Sequence, residues 1–232
     1  MILYCNSDSY GVMSTTKNRY SEYLGKLLNA KVINNGKGGS CNQRIIRNTV
    51  RDLTNIKKTT PDEKILSIIC LGSMIRNEWW NPNYKPSDEE MDGHFQSFQI
   101  HSMTHNSRSG YYKYAKEWYR VYDDEAEQTN LLMSLTILIG WLESQNIDYL
   151  FFAGNNITYK KIDYNSSFIK TFAEKIFSNT RILNLNDFSF TRYCLEKNHQ
   201  PYDFDQWGIH GHHGEDAHRE FAEFLFLYYN QL

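Results

Sequence analysis

The chain has 232 residues, a formal net charge of −2 and a pI near 6.4. That length supports one large domain with a full core, so neither disulfides nor a metal is needed for stability. The charge excludes a nucleic-acid or membrane-surface role driven by bulk electrostatics, and no apolar run approaches the ~20 residues of a membrane span.

The first element predicted is a strand at 1–5, a short apolar run that stops at Asn6-Ser7-Asp8-Ser9-Tyr10-Gly11. An Asp-Ser pair just past a first strand is where α/β enzymes present a reactive hydroxyl. No basic segment followed by an apolar one precedes it, so a cytoplasmic location is expected, or a virion-associated one if the chain is virus-encoded. A helix follows at 18–28, with Tyr20, Tyr23, Leu24 and Leu27 on one face, then a strand at 31–34 and a helix at 42–56 carrying Ile45, Ile46, Val50 and Leu53. The runs 65–71 (ILSIICL) and 149–153 (YLFFA) are almost continuously apolar, the mark of strands covered on both faces, and the second strand is set at 148–153. Cys5 and Cys70 lie in such runs, and with Cys41 and Cys194 they form no Cys-x-x-Cys, so buried thiols in a reducing compartment are expected. Helices at 125–145 and 166–177, a fifth strand at 181–185 and a closing helix at 215–229 complete the pattern. Strand and helix alternate, which predicts a three-layer α/β/α sandwich on a five-stranded parallel sheet, flavodoxin-like, as a single domain over 1–232.

Residues 76–124 break the rhythm. This stretch holds two of the four prolines and Trp79, Trp80, Tyr84, Tyr111, Tyr112, Tyr114, Trp118, Tyr119 and Tyr122. A connection that long is usually functional or disordered, and its aromatic content disfavours disorder. It reads either as the core of a small extra subdomain or as rings that stack on sugars or lipid-like substrates.

Ligands of open α/β sheets bind outside the carboxyl ends of the strands. The residues there, strand by strand, are Ser9; Gly38, Gly39, Ser40, Cys41 and Asn42; Gly72, Ser73, Arg76, Asn77 and Glu78; Gly154, Asn155 and Asn156; and, at some distance, Asp203, Asp205, His210, His212 and His213. The glycine loop opens a helix whose first amides suit an anion. A hydroxyl, a set of donors for an oxyanion and histidine bases are what acyl transfer needs, because serine is weakly nucleophilic until a base takes its proton. The bunched histidines with Asp203, Asp205 and Asp216 also have metal-ligand chemistry, though no His-Glu-x-x-His motif accompanies them. Arg76 and Glu78 read as an internal ion pair shaping the pocket or as substrate contacts, and His218 as a packing or capping residue.

Over most of its length outside 76–124 the sequence resembles the SGNH (GDSL-type) hydrolases, and more closely their compact, often virus-encoded branch. Ser7-Asp8-Ser9 resembles the Gly-Asp-Ser block, with Ser7 in place of glycine. Asn34 to Ile45 resembles the second block. His212-His213-Gly214-Glu215-Asp216-Ala217-His218 resembles the last. The resemblance implies Ser9 as nucleophile, the Ser9 and Gly39 amides as oxyanion donors, and His212 as base, with His213 the alternative under the family's commoner Asp-Gly-x-His spacing. Two positions depart from it. Met74 stands where the third block has its oxyanion asparagine, leaving Asn77, Ser73 or Asn155 as substitute donors, although Arg76-Asn77-Glu78 fits the Arg-x-Glu of the virus-like branch. The acid usually two or three residues before the histidine is missing, since Ile209 and His210 are there; Asp205 is expected to supply it, with Asp203 or a Ser-His dyad as alternatives.

The expected activity is a cofactor-free serine esterase acting on small acyl esters, O-acetyl groups of a polysaccharide among them. Its partners are a small-molecule or carbohydrate ester, not nucleic acid or membrane. The rival readings are an SGNH-fold binding or virion-structural protein without turnover, and a metal-dependent hydrolase.

Overall fold

The computed structural model describes residues 1–12, 18–80, 95–98, 110–155, 167–203 and 211–232. Its elements run β1 (Ile2–Asn6), α1 (Tyr20–Leu27), β2 (Lys31–Asn34), α2 (Asn42–Thr59), β3 (Ile65–Leu71), β4 (Asn77–Trp80), β5 (Phe95–Phe98) and α3 (Gly110–Arg120), then α4 (Asp124–Ser144), β6 (Asp148–Ala153), α5 (Ser167–Phe177), α6 (Phe190–Glu196) and α7 (Glu215–Tyr229). No described helix is long and apolar enough to cross a membrane.

The apolar runs form strands because every side of them is covered. β1 is buried at all five positions, and β3 at all seven. β1 pairs in parallel with β2 and β3, and β3 with β6, in the order β2-β1-β3-β6. Side chains alternate between faces, as the pleat requires. Ile65, Ile69 and Leu71 join one core with Tyr149 and Phe151, whereas Leu66, Ile68 and Cys70 join another with Leu150 and Phe152. α2, α4 and α5 cover the first face through Ile45, Leu53, Leu135, Leu138, Leu142, Ile169 and Ile176. α1, α6 and α7 cover the second through Tyr20, Leu24, Phe190, Phe221 and Leu225. Each large apolar side chain so buried contributes roughly 1.5–3 kcal/mol. The three-layer α/β/α sandwich therefore stands as expected, and all four cysteines are buried free thiols.

The parallel sheet has four strands among the described residues, not five. The segment at 181–185 makes one isolated parallel bridge, Ile182 to Phe151. It leaves the edge because Asn184 starts a turn: its side chain accepts the Asn186 amide at 3.0 Å and its carbonyl the Phe188 amide at 2.7 Å. Local side-chain bonding of this kind competes with ladder pairing.

Residues 76–124 contain an antiparallel β4–β5 hairpin and α3, elements that the apolar runs of the sequence do not assign. The hairpin is clasped to α2 by Arg47, which bonds Glu78 at 2.8 Å and lies 4.1 Å over the Phe95 ring. The Tyr119 hydroxyl ties α3 to the Ile75 carbonyl at 2.7 Å. The rings of Trp118, Tyr119 and Tyr122 pack on one another. Tyr84 and the side chains of Trp79, Trp80, Tyr111 and Tyr112, on which the stacking reading depends, lie outside what the structure describes.

Candidate active site

Parallel pairing brings the carboxyl ends of β1, β2, β3 and β6 to one edge, and the loops that follow lock together there. After β1 the chain enters a single 3-10 turn, Ser9–Gly11, capped by Asp8, whose carboxylate accepts the Tyr10 amide at 3.1 Å. Ser9 is 8% exposed. The loop after β2 runs alongside it, because the Asn35 amide bonds the Cys5 carbonyl at 2.9 Å and the Lys37 amide bonds the Ser7 carbonyl at 3.0 Å. This holds Gly38 so that its Cβ position lies 3.9 Å from the Ser9 Cβ. Gly39 follows with φ +78°, a left-handed conformation that glycine adopts without strain, and no atom lies within 4 Å of its Cβ position.

Buried polar side chains brace this loop. The Arg44 guanidinium, on α2, bonds the Ser40 hydroxyl at 3.1 Å, and that hydroxyl donates to the Lys37 carbonyl at 2.7 Å. Asn42 joins the second loop to the third: it donates to the Gly72 carbonyl at 3.2 Å and accepts the Gly72 amide at 2.9 Å. Gly72 approaches closely, its Cβ position 3.0 Å from the Ser40 carbonyl oxygen and 3.3 Å from Asp8 Oδ2. A side chain at Gly72 would push these loops apart. The sequence places Asn42 at the ligand edge and at a helix start but does not show its partner, which is 30 positions away.

Arg76 and Glu78 are not an ion pair with each other. Arg76 pairs with Asp8 at 3.0 Å, against the Ser9 turn, and Glu78 pairs with Arg47. Burial pushes the Asp8 carboxyl above the usual carboxylate range, and Arg76 opposes that shift. The candidate donors are placed as follows. Met74 is buried in the core on the α2/α4 side and offers no side-chain donor. Asn77 accepts the Glu78 amide at 2.7 Å, Asn155 donates to the Tyr10 hydroxyl at 3.2 Å, and Ser73 is half-buried with its carbonyl accepting the Arg76 amide at 3.3 Å.

The histidines separate by environment. Residues on either side of 204–210 run antiparallel: Pro201 bridges His213, and the Tyr202 amide bonds the His212 carbonyl at 2.9 Å. This carries Asp203 to His212. Its carboxylate accepts the His212 amide and lies 2.8 Å from the ring Nδ1. Burial acts to raise the Asp203 carboxyl, but the His212 amide and ring outweigh it and hold it below the usual range. With Nδ1 engaged by a carboxylate, Nε2 is the nitrogen left for proton transfer. The His212 ring rests on Tyr10, the neighbour of Ser9, with centroids 5.6 Å apart. Asp205 and His210 lie outside the described residues.

His213 is wholly buried, edge-on to Phe190 with centroids 5.7 Å apart, and neither ring nitrogen has a hydrogen-bond partner among the described residues. Burial lowers its pKa to about 4, against an opposing contribution from the His199 backbone. Between pH 6.5 and 4 the unfolded imidazole binds a proton that the folded one refuses. The stability present above pH 6.5 is therefore lost on acidification, by roughly 3 kcal/mol at the full shift. His213→Leu should flatten the difference in denaturation midpoint between pH 7 and pH 4.5; an unchanged pH dependence would show that His213 titrates normally. His218 is a packing and capping residue, stacked on Tyr20 and accepting its amide at 3.3 Å.

A family model described as "Family of unknown function (DUF6071)" matches residues 9–177. No curated protein matches the sequence. Among solved structures, a lipolytic G-D-S-L family protein from Desulfitobacterium hafniense DCB-2 superposes with a TM-score of 0.51 at 11% identity, over 97% of this chain and 98% of that one. The psychrotrophic esterase EstA from Pseudoalteromonas sp. gives 0.49 at 10%, over 99% and 97%, and the acetyl xylan esterase AlAXEase gives 0.46 at 13%, over 97% and 98%. The first likeness shows the fold, an α/β/α sandwich.

Proposed function

We propose that this chain, which belongs to the DUF6071 family of unknown function, is a serine ester hydrolase acting on small acyl esters, O-acetyl groups of a carbohydrate among them. The observation that carries this reading is the His212 ring, held by Asp203 through Nδ1 at 2.8 Å and resting on the residue next to Ser9. Buried His213 has no such carboxylate and suits packing rather than proton transfer.

In the mechanism, Ser9 Oγ attacks the ester carbonyl as its proton passes to His212 Nε2. The oxyanion is held by the amides of Ser9 and Gly39, and each such donor is worth roughly 3–4 kcal/mol in the transition state. Collapse breaks the bond to the alkoxy group, which leaves with the proton from His212. Water then attacks acyl-Ser9 and gives its proton to His212. The second collapse returns that proton to Ser9 and frees the acid. Asp203 fixes the tautomer and stabilises the imidazolium.

The chain's physical match to its chemistry is incomplete at one place: buried Met74 leaves the third donor to Asn77, Asn155 or Ser73. That favours, as the second reading, a binding protein on the same fold. Hydrolysis of p-nitrophenyl acetate and of an acetylated-sugar panel by the purified protein decides between them. A burst of p-nitrophenol with a 42-Da acetyl adduct on Ser9 is expected on the order of one per chain. Inertness toward both substrate sets would overturn the esterase reading in favour of binding.

A further inference from the structure

We propose that the pocket between α2 and α4 is the acyl subsite of the Ser9 centre, and that it takes a neutral aliphatic acyl group longer than acetyl. The assignment rests on the serine-hydrolase reading above and adds the substrate class.

The pocket has a volume of about 250 Å3 and is walled by Ile46, Met74, Leu131 and Met133, with Asn130 and Ser134 among its polar groups. Two residues join it to the site. Asn42 lines it while bonding Gly72 beside the Gly39 loop, and Arg76 lines it while pairing with Asp8, the neighbour of Ser9. The pocket thus adjoins the residue next to Ser9 and the loop that carries Gly39, on which the assignment rests.

The layers of the fold decide which part of the ester enters. An ester carbonyl held by its oxygen has two remaining substituents, the alkoxy group and the acyl chain. The alkoxy oxygen must face His212, which gives it a proton. His212 lies just before α7 and rests on Tyr10, and both α7 and Tyr10 pack in the α1/α6/α7 layer. Met74, Leu131 and Ile46 belong to the opposite layer. With the leaving group toward His212, the acyl chain points to the α2/α4 side.

Volume and charge define the chain. The pocket holds about eight water-sized groups, several more than the methyl of acetyl, yet it falls short of the ~300–1,000 Å3 typical of sites for larger ligands. Two methionines give it walls that adapt to a flexible chain. Its described arginine is paired with Asp8, and Glu127 on the wall has a carboxyl raised by burial, so an acyl group bearing a carboxylate finds no counter-charge.

The test compares p-nitrophenyl acetate, butyrate and hexanoate with the wild type and with Ser134→Phe and Asn130→Trp, which fill the pocket from two positions of α4. Asn130 is exposed, so that variant is expected to fold even if Ser134→Phe does not. The wild type should prefer butyrate or hexanoate over acetate by about tenfold or more in kcat/KM, and filling should lower the hexanoate-to-acetate ratio by a similar factor. Acetate turnover with no preference for longer chains, or an equal fall for all three esters on filling, would overturn the acyl assignment while leaving the hydrolase reading intact. Turnover of none of the three removes the hydrolase reading and this assignment with it.

Discussion

Ser9→Ala and His212→Ala should each lower kcat/KM toward p-nitrophenyl acetate by about 10^4-fold or more, and the double variant should be scarcely worse than either single one. Removing the hydroxyl deletes the atom proposed to form the acyl bond. Removing the imidazole leaves that hydroxyl protonated and the leaving group without an acid. Non-additivity follows because neither group accelerates the reaction without the other. Both variants should keep the fold. Ser9 loses one oxygen from a turn held by Asp8, and His212 is one-fifth exposed, outside the packed core. His213→Leu should keep most of the activity at neutral pH, since that ring sits behind Phe190 in the core. Steady-state kinetics on the wild type and the four variants at neutral pH are sufficient. Activity lost with His213 but kept without His212 would transfer the base to the second histidine, and loss confined to Ser9 would exclude both.

Asp203→Ala should lower kcat by about 10^2- to 10^4-fold, with Asp205→Ala as the control that stays near wild type. The basis is distance: Asp203 lies 2.8 Å from His212 Nδ1 and also accepts the His212 amide. Its loss frees the ring to turn and removes the charge that stabilises the imidazolium. Asp203→Asn separates those effects. It keeps the shape but can offer an N–H to Nδ1, favouring the wrong tautomer, so kcat should fall with KM little changed. A purely structural role would instead move KM and thermal stability together. If Asp205→Ala proves the damaging change and Asp203→Ala is tolerated, the acid belongs to residue 205.

Arg76 illustrates how neighbouring residues in sequence mislead about partners. Arg76-Asn77-Glu78 places opposite charges two apart, and an Arg–Glu pair is the local expectation. Arg76, in the turn before β4, reaches Asp8 68 positions away, whereas Glu78, in β4, meets Arg47 31 positions away. Residues two apart on a strand share a face, so the separation comes from Arg76 preceding β4 and from the docking of the hairpin on α2 through Arg47.

By itself the sequence determined the layered architecture, because a parallel strand buried on both faces must be apolar along its length. ILSIICL and YLFFA become β3 and β6 with the bounds the runs imply. Helical periodicity likewise located α1, α2, α5 and α7 to within a few residues, since it records which side of each helix is buried, and a long apolar stretch located α4. It also marked Ser9, the Gly38-Gly39 loop and the paired histidines, because turn formers at strand ends are local signals. Tertiary structure alone decided their relations. It separated the two adjacent histidines, one against Tyr10 and one behind Phe190. It brought Asp203 across nine positions to His212 by an antiparallel pairing that a fixed motif spacing does not encode. It buried Met74, shortened the fifth strand to one bridge at Ile182, and hid α6 and the β4–β5 hairpin from periodicity because they are short. The physical reason is common to all of these: periodicity reports which face of an element is buried, whereas partners and pKa values depend on what lies across the interface, and that is set only when the layers close.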